Sequence, residues 1–176
     1  MVWTLAAFVG VLVLGTLEGI LVAVALSMLM LLHAANHPPV YAVGQKPGTK
    51  TFRSQEDFPE DETFPGLLIL RTEGWLNFAS MPNIREKLRQ LVLEQEPQVV
   101  ILECSAITDI EYTALLMLME AEEKMARANI QLWLVGLNPA PFQKIRTSPL
   151  AKVLGEKRMY ANLRDAVNIY QDQMQA

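Results

Sequence analysis

The sequence predicts an α/β fold: a mixed, mostly parallel β-sheet flanked by helices, preceded by an N-terminal transmembrane helical segment. Three observations carry this. Met1–Leu32 is apolar, with Glu18 as its lone charge. From Gly66 onward, short apolar runs alternate with amphipathic ones, which implies crossover connections and helices packed on a sheet. Within that part, Val99-Val100-Ile101-Leu102 is continuously apolar, the pattern of a strand covered on at least one face.

The apolar segment occupies residues 1–36. It lacks a basic n-region and exceeds the usual signal-peptide apolar stretch of about 7–15 residues, so a cleaved signal is not expected. One helix over its whole length would be about 45 Å long, well beyond a hydrocarbon core of about 30 Å, and would bury Glu18 near its middle. Gly15-Thr16-Leu17-Glu18-Gly19 offers a break, giving short helices near Val2–Leu14 and Leu17–His33. The alternative is one long tilted helix, with Gly15 and Gly19 on a helix-contact face. Glu18 is then either a helix-N-terminal or interfacial carboxylate, or an ion carrier. Lys46, Lys50 and Arg53 follow the segment and nothing basic precedes it, which predicts a cytoplasmic polar domain at the inner (plasma) membrane.

Residues 37–64 read as a linker. Pro38-Pro39 ends the helix, Tyr41-Ala42-Val43 offers an edge strand, and Glu56, Asp57, Glu60, Asp61 and Glu62 form a solvated acidic cluster. The folded domain is expected over residues 65–176. Gly66–Arg71 is a buried-strand run and Trp75–Phe78 alternates, so the two predict a hairpin through Arg71–Gly74. Ser80 caps a helix to about Glu94, with Ile84, Leu88, Leu91 and Val92 inward. The Val99 strand leads through a polar-dotted turn, Cys104–Thr113, into a helix ending near Asn129. Ile130–Val135 is a strand, Pro141–Arg146 and Leu150–Gly155 are short helical pieces, and Arg158–Tyr160 is a short strand. Asn162, with Asp165 three positions on, caps a last helix whose inner face is Ala166, Val167, Ile169 and Tyr170. The order is β-β-α-β-α-β-α-β-α.

Composition excludes several functions. Residues from Lys46 onward hold all 15 cations and 18 of the 19 acids, net −3, which argues against a nucleic-acid partner. Cys104 is the only cysteine and can form no disulfide within the chain. The only histidines, His33 and His37, sit at the membrane edge and read as interfacial side chains rather than metal ligands. With no convergent nucleophile and base, and no cofactor or metal motif, an enzyme is not expected.

The run from Val99 to Leu115 resembles the strand-turn-helix signature of STAS domains: an apolar strand, a small polar residue, an apolar step, an acid and a hydroxyl opening the next helix. Met159–Val167 is similar to the closing strand and helix of that domain. More widely, the chain resembles the C-terminal part of a bacterial SulP-type anion permease: terminal membrane helices, Val43-Gly44-Gln45-Lys46-Pro47-Gly48-Thr49, a Pro65–Ile69 strand, and the Phe78-Ala79-Ser80 turn. The resemblance implies a membrane-tethered STAS domain of a sulfate-type anion transporter, acting in regulation, dimerisation or assembly of the transport core. Partners would be that core, a second copy, the lipid bilayer, and a nucleotide or protein ligand at the loop. The anion site of such permeases lies in earlier helices, so this chain is expected to be a transporter fragment or split gene product rather than a complete transporter. The alternative is a membrane-anchored module, like the anti-sigma-factor antagonists, that binds a kinase or anti-sigma partner. In those proteins a serine accepts phosphate; the matching residue here is Tyr112, with Glu111 at the acid position and Thr113 beside it.

The site candidates follow. In the loop they are Ser105, Thr108, Asp109, Glu111, Tyr112 and Thr113, as a docking or regulatory surface; in the membrane segment they are Gly15, Glu18 and Gly19. Read structurally, Asp109 or Glu111 simply caps the following helix. Leu115–Met119 is more apolar than one buried face needs, and reads as core first and partner contact second.

Overall fold

The computed structural model describes residues 15–175, in two compact units divided after His37. The expected helix Val2–Leu14 lies outside the described residues. In the first unit, α1 (Thr16–Asn36) starts at Gly15, whose φ of 100° is open to glycine and closed to a helix continuing through it. At 21 residues α1 is about 30 Å long, enough to cross a bilayer, so the second of the two expected short helices is full length. Its window of mean hydropathy 2.1 is almost entirely exposed, as lipid-facing side chains would be.

In the second unit, α/β architecture follows the sequence pattern. Strands β1 (Val40–Gln45), β2 (Phe52–Ser54), β3 (Leu67–Thr72), β5 (Val99–Glu103), β7 (Gln131–Val135) and β8 (Met159–Tyr160) form one sheet in the order β2-β1-β3-β5-β7-β8. From β3 to β8 all pairs are parallel; β1 joins β2 and β3 antiparallel. A separate two-stranded parallel sheet pairs β4 (Gly74–Leu76) with β6 (Ile107–Ile110). The helices are α2 (Met81–Gln95), α3 (Tyr112–Arg127), α4 (Pro139–Arg146), α5 (Pro149–Leu154) and α6 (Leu163–Gln175).

Within the central strands, Leu67–Leu70, Val99–Leu102 and Leu132–Val135 are apolar at every position because both faces are covered. Leu68, Leu70, Val100, Leu102, Leu132 and Leu134 point into a core shared with α2 to α5. Their neighbours Leu67, Ile69, Val99, Ile101, Trp133 and Val135 point the other way, into a second core with α6. Alternation along each strand thus splits one continuous apolar run between two layers.

Five expectations are corrected. Gly66–Arg71 and Trp75–Phe78 do not form a hairpin: the Gly74 amide donates to Ala106 O at 2.9 Å, the chain leaves the main sheet there, and β4 finds its partner in β6. The turn Cys104–Thr113 accordingly contains a strand, β6. The Tyr41–Val43 strand is not an edge, since β2 lies outside it. Helix α2 starts after Ser80 as expected, but the turn is held by Asn77, whose Oδ1 accepts from the Ala79 and Ser80 amides at 2.8 and 3.0 Å. On α6, Ile169 faces out and Leu163 takes its place in the core. The Asn162 cap stands, with its Oδ1 accepting from the Asp165 amide at 3.0 Å.

The acidic stretch also packs on the domain. Arg53 clamps the buried Asp61 through Nε and Nη2, both at 2.7 Å, while its guanidinium lies 3.7 Å over the Phe58 ring. Gly44 permits this approach: a Cβ there would fall 2.8 Å from Asp61 Cβ.

Candidate functional site

The loop candidates lie along β6 and the start of α3. Register sets the geometry: Leu76 pairs with Ile110 and both are buried, while Trp75 pairs with Asp109 and both stand outward. The loop leaves β5 at Glu103, a nearly buried carboxylate with two partners. Its Oε2 accepts from Arg71 Nε at 2.7 Å and its Oε1 from the Ser105 amide at 3.0 Å. Asn138, at the start of α4, then staples the loop, its Nδ2 donating to Ser105 O at 2.9 Å and Ile107 O at 2.8 Å.

Asp109 does not cap α3. Its Oδ1 accepts from the Ile110 amide at 2.8 Å, and its carboxylate pairs with Lys144 Nζ of α4 at 2.7 Å. The lysine's hydrogen bond, aided by that amide, holds the Asp109 carboxyl below its ordinary value against a smaller desolvation effect. Glu111 occupies the N-cap position, yet its side chain caps nothing on α3. It reaches back instead, and Oε2 accepts from the Phe78 amide at 3.3 Å; its own amide donates to Leu76 O at 2.8 Å. Thr108, Tyr112 and Thr113 are exposed.

Two aromatic side chains join these candidates that sequence reasoning did not place at the site. Phe78 is 67% exposed, Trp75 53% and Tyr112 66%, and Leu116, one turn into α3, is also exposed. Backbone pairing of β4 with β6 and the Phe78–Glu111 bond bring them to one end of the small sheet. The available signal was the alternation in Trp75-Leu76, which puts Trp75 on the face opposite Leu76; Phe78 lies in the turn beyond β4, outside that period. Of the Leu115–Met119 stretch, Leu115 and Leu118 are core and Leu116 is the outward residue. The site thus combines an apolar patch with two carboxylates engaged in structural contacts, an arrangement suited to a macromolecular partner and poorly suited to bond-breaking chemistry.

The remaining candidates belong to the first unit. Gly15 starts α1, Gly19 N donates to Gly15 O at 2.9 Å, and Glu18 sits in the first turn with Oε2 2.8 Å from where a Gly15 Cβ would be. Glu18 therefore folds over the helix start, the position where a carboxylate favours the helix dipole. His33 and His37 stack with ring centroids 4.1 Å apart, and among the described residues no three His, Cys, Asp or Glu groups gather to hold a metal. Cys104 is buried, and burial pushes its thiol up, away from the reactive thiolate.

Residues 58–166 match the STAS domain family. This chain belongs to that family. The STAS domain and the apolar segment match together: the chain is 28% identical over 176 residues to high affinity sulfate transporter 2 of Stylosanthes hamata, covering 94% of this chain and 27% of the transporter. Curated relatives of this kind are transporters, not enzymes, and the chain spans about a quarter of their length. In fold it is similar to the murine Solute Carrier 26 family member A9 anion transporter in the inward-facing state, with a TM-score of 0.78, 16% identity, and coverage of 97% of this chain and 28% of the other. The STAS domain is also similar to an anti-sigma factor antagonist from Mycobacterium paratuberculosis, with a TM-score of 0.56 and 17% identity over 77% of this chain and 96% of that one. The fold is thus shared with an anion transporter and with an anti-sigma factor antagonist.

Proposed function

We propose that this chain is the terminal membrane helix region and STAS domain of a SulP-like anion transporter, and that it serves assembly or regulation of a transport core carried on the same or a separate polypeptide. The observation that carries this is the collinear match of the apolar segment and the STAS domain, as one unit, to sulfate transporters. In this reading residues 1–36 are membrane segment and 65–176 the STAS domain, with 37–64 connecting them and adding β1 and β2 to the domain's sheet. The domain lies on the cytoplasmic side, supported by Lys46, Lys50 and Arg53 after α1. The patch of Trp75, Phe78, Tyr112 and Leu116 is the docking surface for the core or a second copy, with Asp109 and Glu111 holding its backbone in shape and Ser105, Thr108 and Thr113 at its polar margin.

The test is anion uptake in a host without related permeases. The chain alone should give none, and a SulP-type core should depend on it for uptake or membrane abundance. Uptake by the chain alone would sink the assembly role.

A second reading is favoured by the exposure of Thr113 on the first turn of α3: a membrane-anchored antagonist-like module that binds a kinase or anti-sigma partner. Phosphate on Thr113 after incubation with a cognate kinase, detected by mass spectrometry, would select it. Tyr112 beside it is a poor substrate for a serine kinase.

A further inference from the structure

Helices α2 and α3 lie side by side on the same face of the sheet. Between them runs a groove of about 410 Å³, within the range of small-molecule sites. Its floor is apolar: Leu88 and Val92 from α2, Ala121 and Met125 from α3, and Ile130 before β7. A further cavity of about 20 Å³ shares Arg85, Leu88 and Ala121 with the groove and continues among core side chains such as Leu70 and Leu118. The cavity is too small to admit a chain itself, but it extends the groove's apolar lining toward the core.

The rim is cationic. Arg85, Arg89 and Lys124 line the groove against Glu86 as the single acid, in a chain whose net charge is −4. Glu86 takes Arg89 through two hydrogen bonds of 3.1 and 2.8 Å, which leaves Arg85 and Lys124. Arg85 has only an exposed, loose contact with Glu120 at 3.8 Å. An apolar floor leading toward the core, under a rim with two loosely engaged cations, fits one class of ligand: an unbranched apolar tail bearing a single anionic head.

We propose that the α2–α3 groove binds a fatty-acid-type amphiphile, with the tail along Leu88, Val92 and Met125 and the carboxylate between Arg85 and Lys124. This site is separate from the aromatic patch and does not rest on the transporter reading.

The test uses the full chain in nanodiscs of zwitterionic lipid, with methionine methyls labelled with carbon-13. The Met125 resonance is assigned by its loss in Met125→Leu, a volume-conserving swap. Decanoate titrated into the sample should shift the Met125 methyl saturably, and decanol should bind at least about tenfold more weakly because it lacks the charge. Arg85→Glu with Lys124→Glu should weaken decanoate by about tenfold and leave decanol unchanged. Both charge reversals are at exposed positions, and the spread of the remaining methionine signals reports that the fold is kept. Equal response to decanoate and decanol, or a Met125 signal that never saturates, overturns the proposal. So does saturation by an acidic amphipathic peptide where decanoate has no effect, which would make the groove a protein-docking site.

Discussion

Replacing Arg71 with methionine should destabilise the domain far more than the ion pair itself stabilises it. Glu103 is 4% exposed and has two partners, Arg71 Nε at 2.7 Å and the Ser105 amide at 3.0 Å. Removing the arginine leaves a buried carboxylate with one neutral donor. Breaking a buried pair from one side costs about 3–5 kcal/mol. The Arg71 side chain is 24% exposed, so water relieves part of that cost and the expected loss is about 3 kcal/mol. The asymmetry is the decisive part: Arg71→Met with Glu103→Leu removes both charges and should return to within about 1 kcal/mol of the wild type. The Ser105 amide freed in that double variant belongs to an exposed residue and can turn to water. Urea unfolding of the full chain in detergent, followed by the near-ultraviolet signal of the buried Trp133, measures all three variants. A loss below about 1 kcal/mol for Arg71→Met, or a double variant no better than the single, would refute the account of Glu103 as a desolvated charge dependent on its partner.

Three further outcomes are expected. Arg53 holds the Asp61 carboxyl below its ordinary value of 3.8, chiefly by hydrogen bonding. A depressed carboxyl contributes stability above its unfolded value and loses it as pH falls through the folded one, so the Arg53–Asp61 contribution should be full from about pH 5 upward and vanish in acid. Acid unfolding curves of Arg53→Met should lack that slope. Gly44→Ala places a Cβ 2.8 Å from Asp61 Cβ and 3.2 Å from Glu62 O, and should cost about 1–3 kcal/mol in the same urea assay by pushing the acidic stretch off β1. Phe78→Ser with Tyr112→Ser should change stability by no more than about 0.5 kcal/mol per site, since both side chains are exposed, while reducing recovery of a co-expressed transport core on an affinity tag fused to this chain; unchanged recovery would remove the patch from the assembly surface.

Where the sequence was legible, burial had imposed a period. Val99–Leu102 is apolar at every position because α2 to α5 cover one face and α6 the other, and that pattern needs no knowledge of a partner strand. Helix α6 announced itself through Asn162 and Asp165, which bond to each other's neighbourhood within one turn. The misreadings occur where structure depends on distant partners. Strand β4 is three residues long and acquires strand character only from β6, more than thirty residues away in the chain, so local alternation suggested the nearer β3 instead. Asp109 looks like a cap beside its helix, but Lys144, 35 positions on, holds its carboxylate. Likewise Asn77 and Ser80 are equally good capping residues by type, and only the turn geometry selects Asn77. The loop was recognisable as a site; its aromatic half was not, because Trp75 comes from the other strand of a sheet that local reading does not assemble, and Phe78 from the turn after it.

The division of labour among the helices has a consequence for how the protein is made. Four helices, α2 to α5, cover one face of the sheet, and among the described residues α6 is the only helix in the cluster on the other. While the ribosome is still short of Tyr170, the strands from β3 to β7 can pair and gather their first layer, yet Ile69, Ile101 and Trp133 remain bare. At about 5–20 residues per second this half-dressed intermediate lasts for seconds, with an apolar face open to aggregation. Completion is therefore a late event, controlled by one short amphipathic segment, and a nascent chain stalled before Leu163 is the species most dependent on a chaperone.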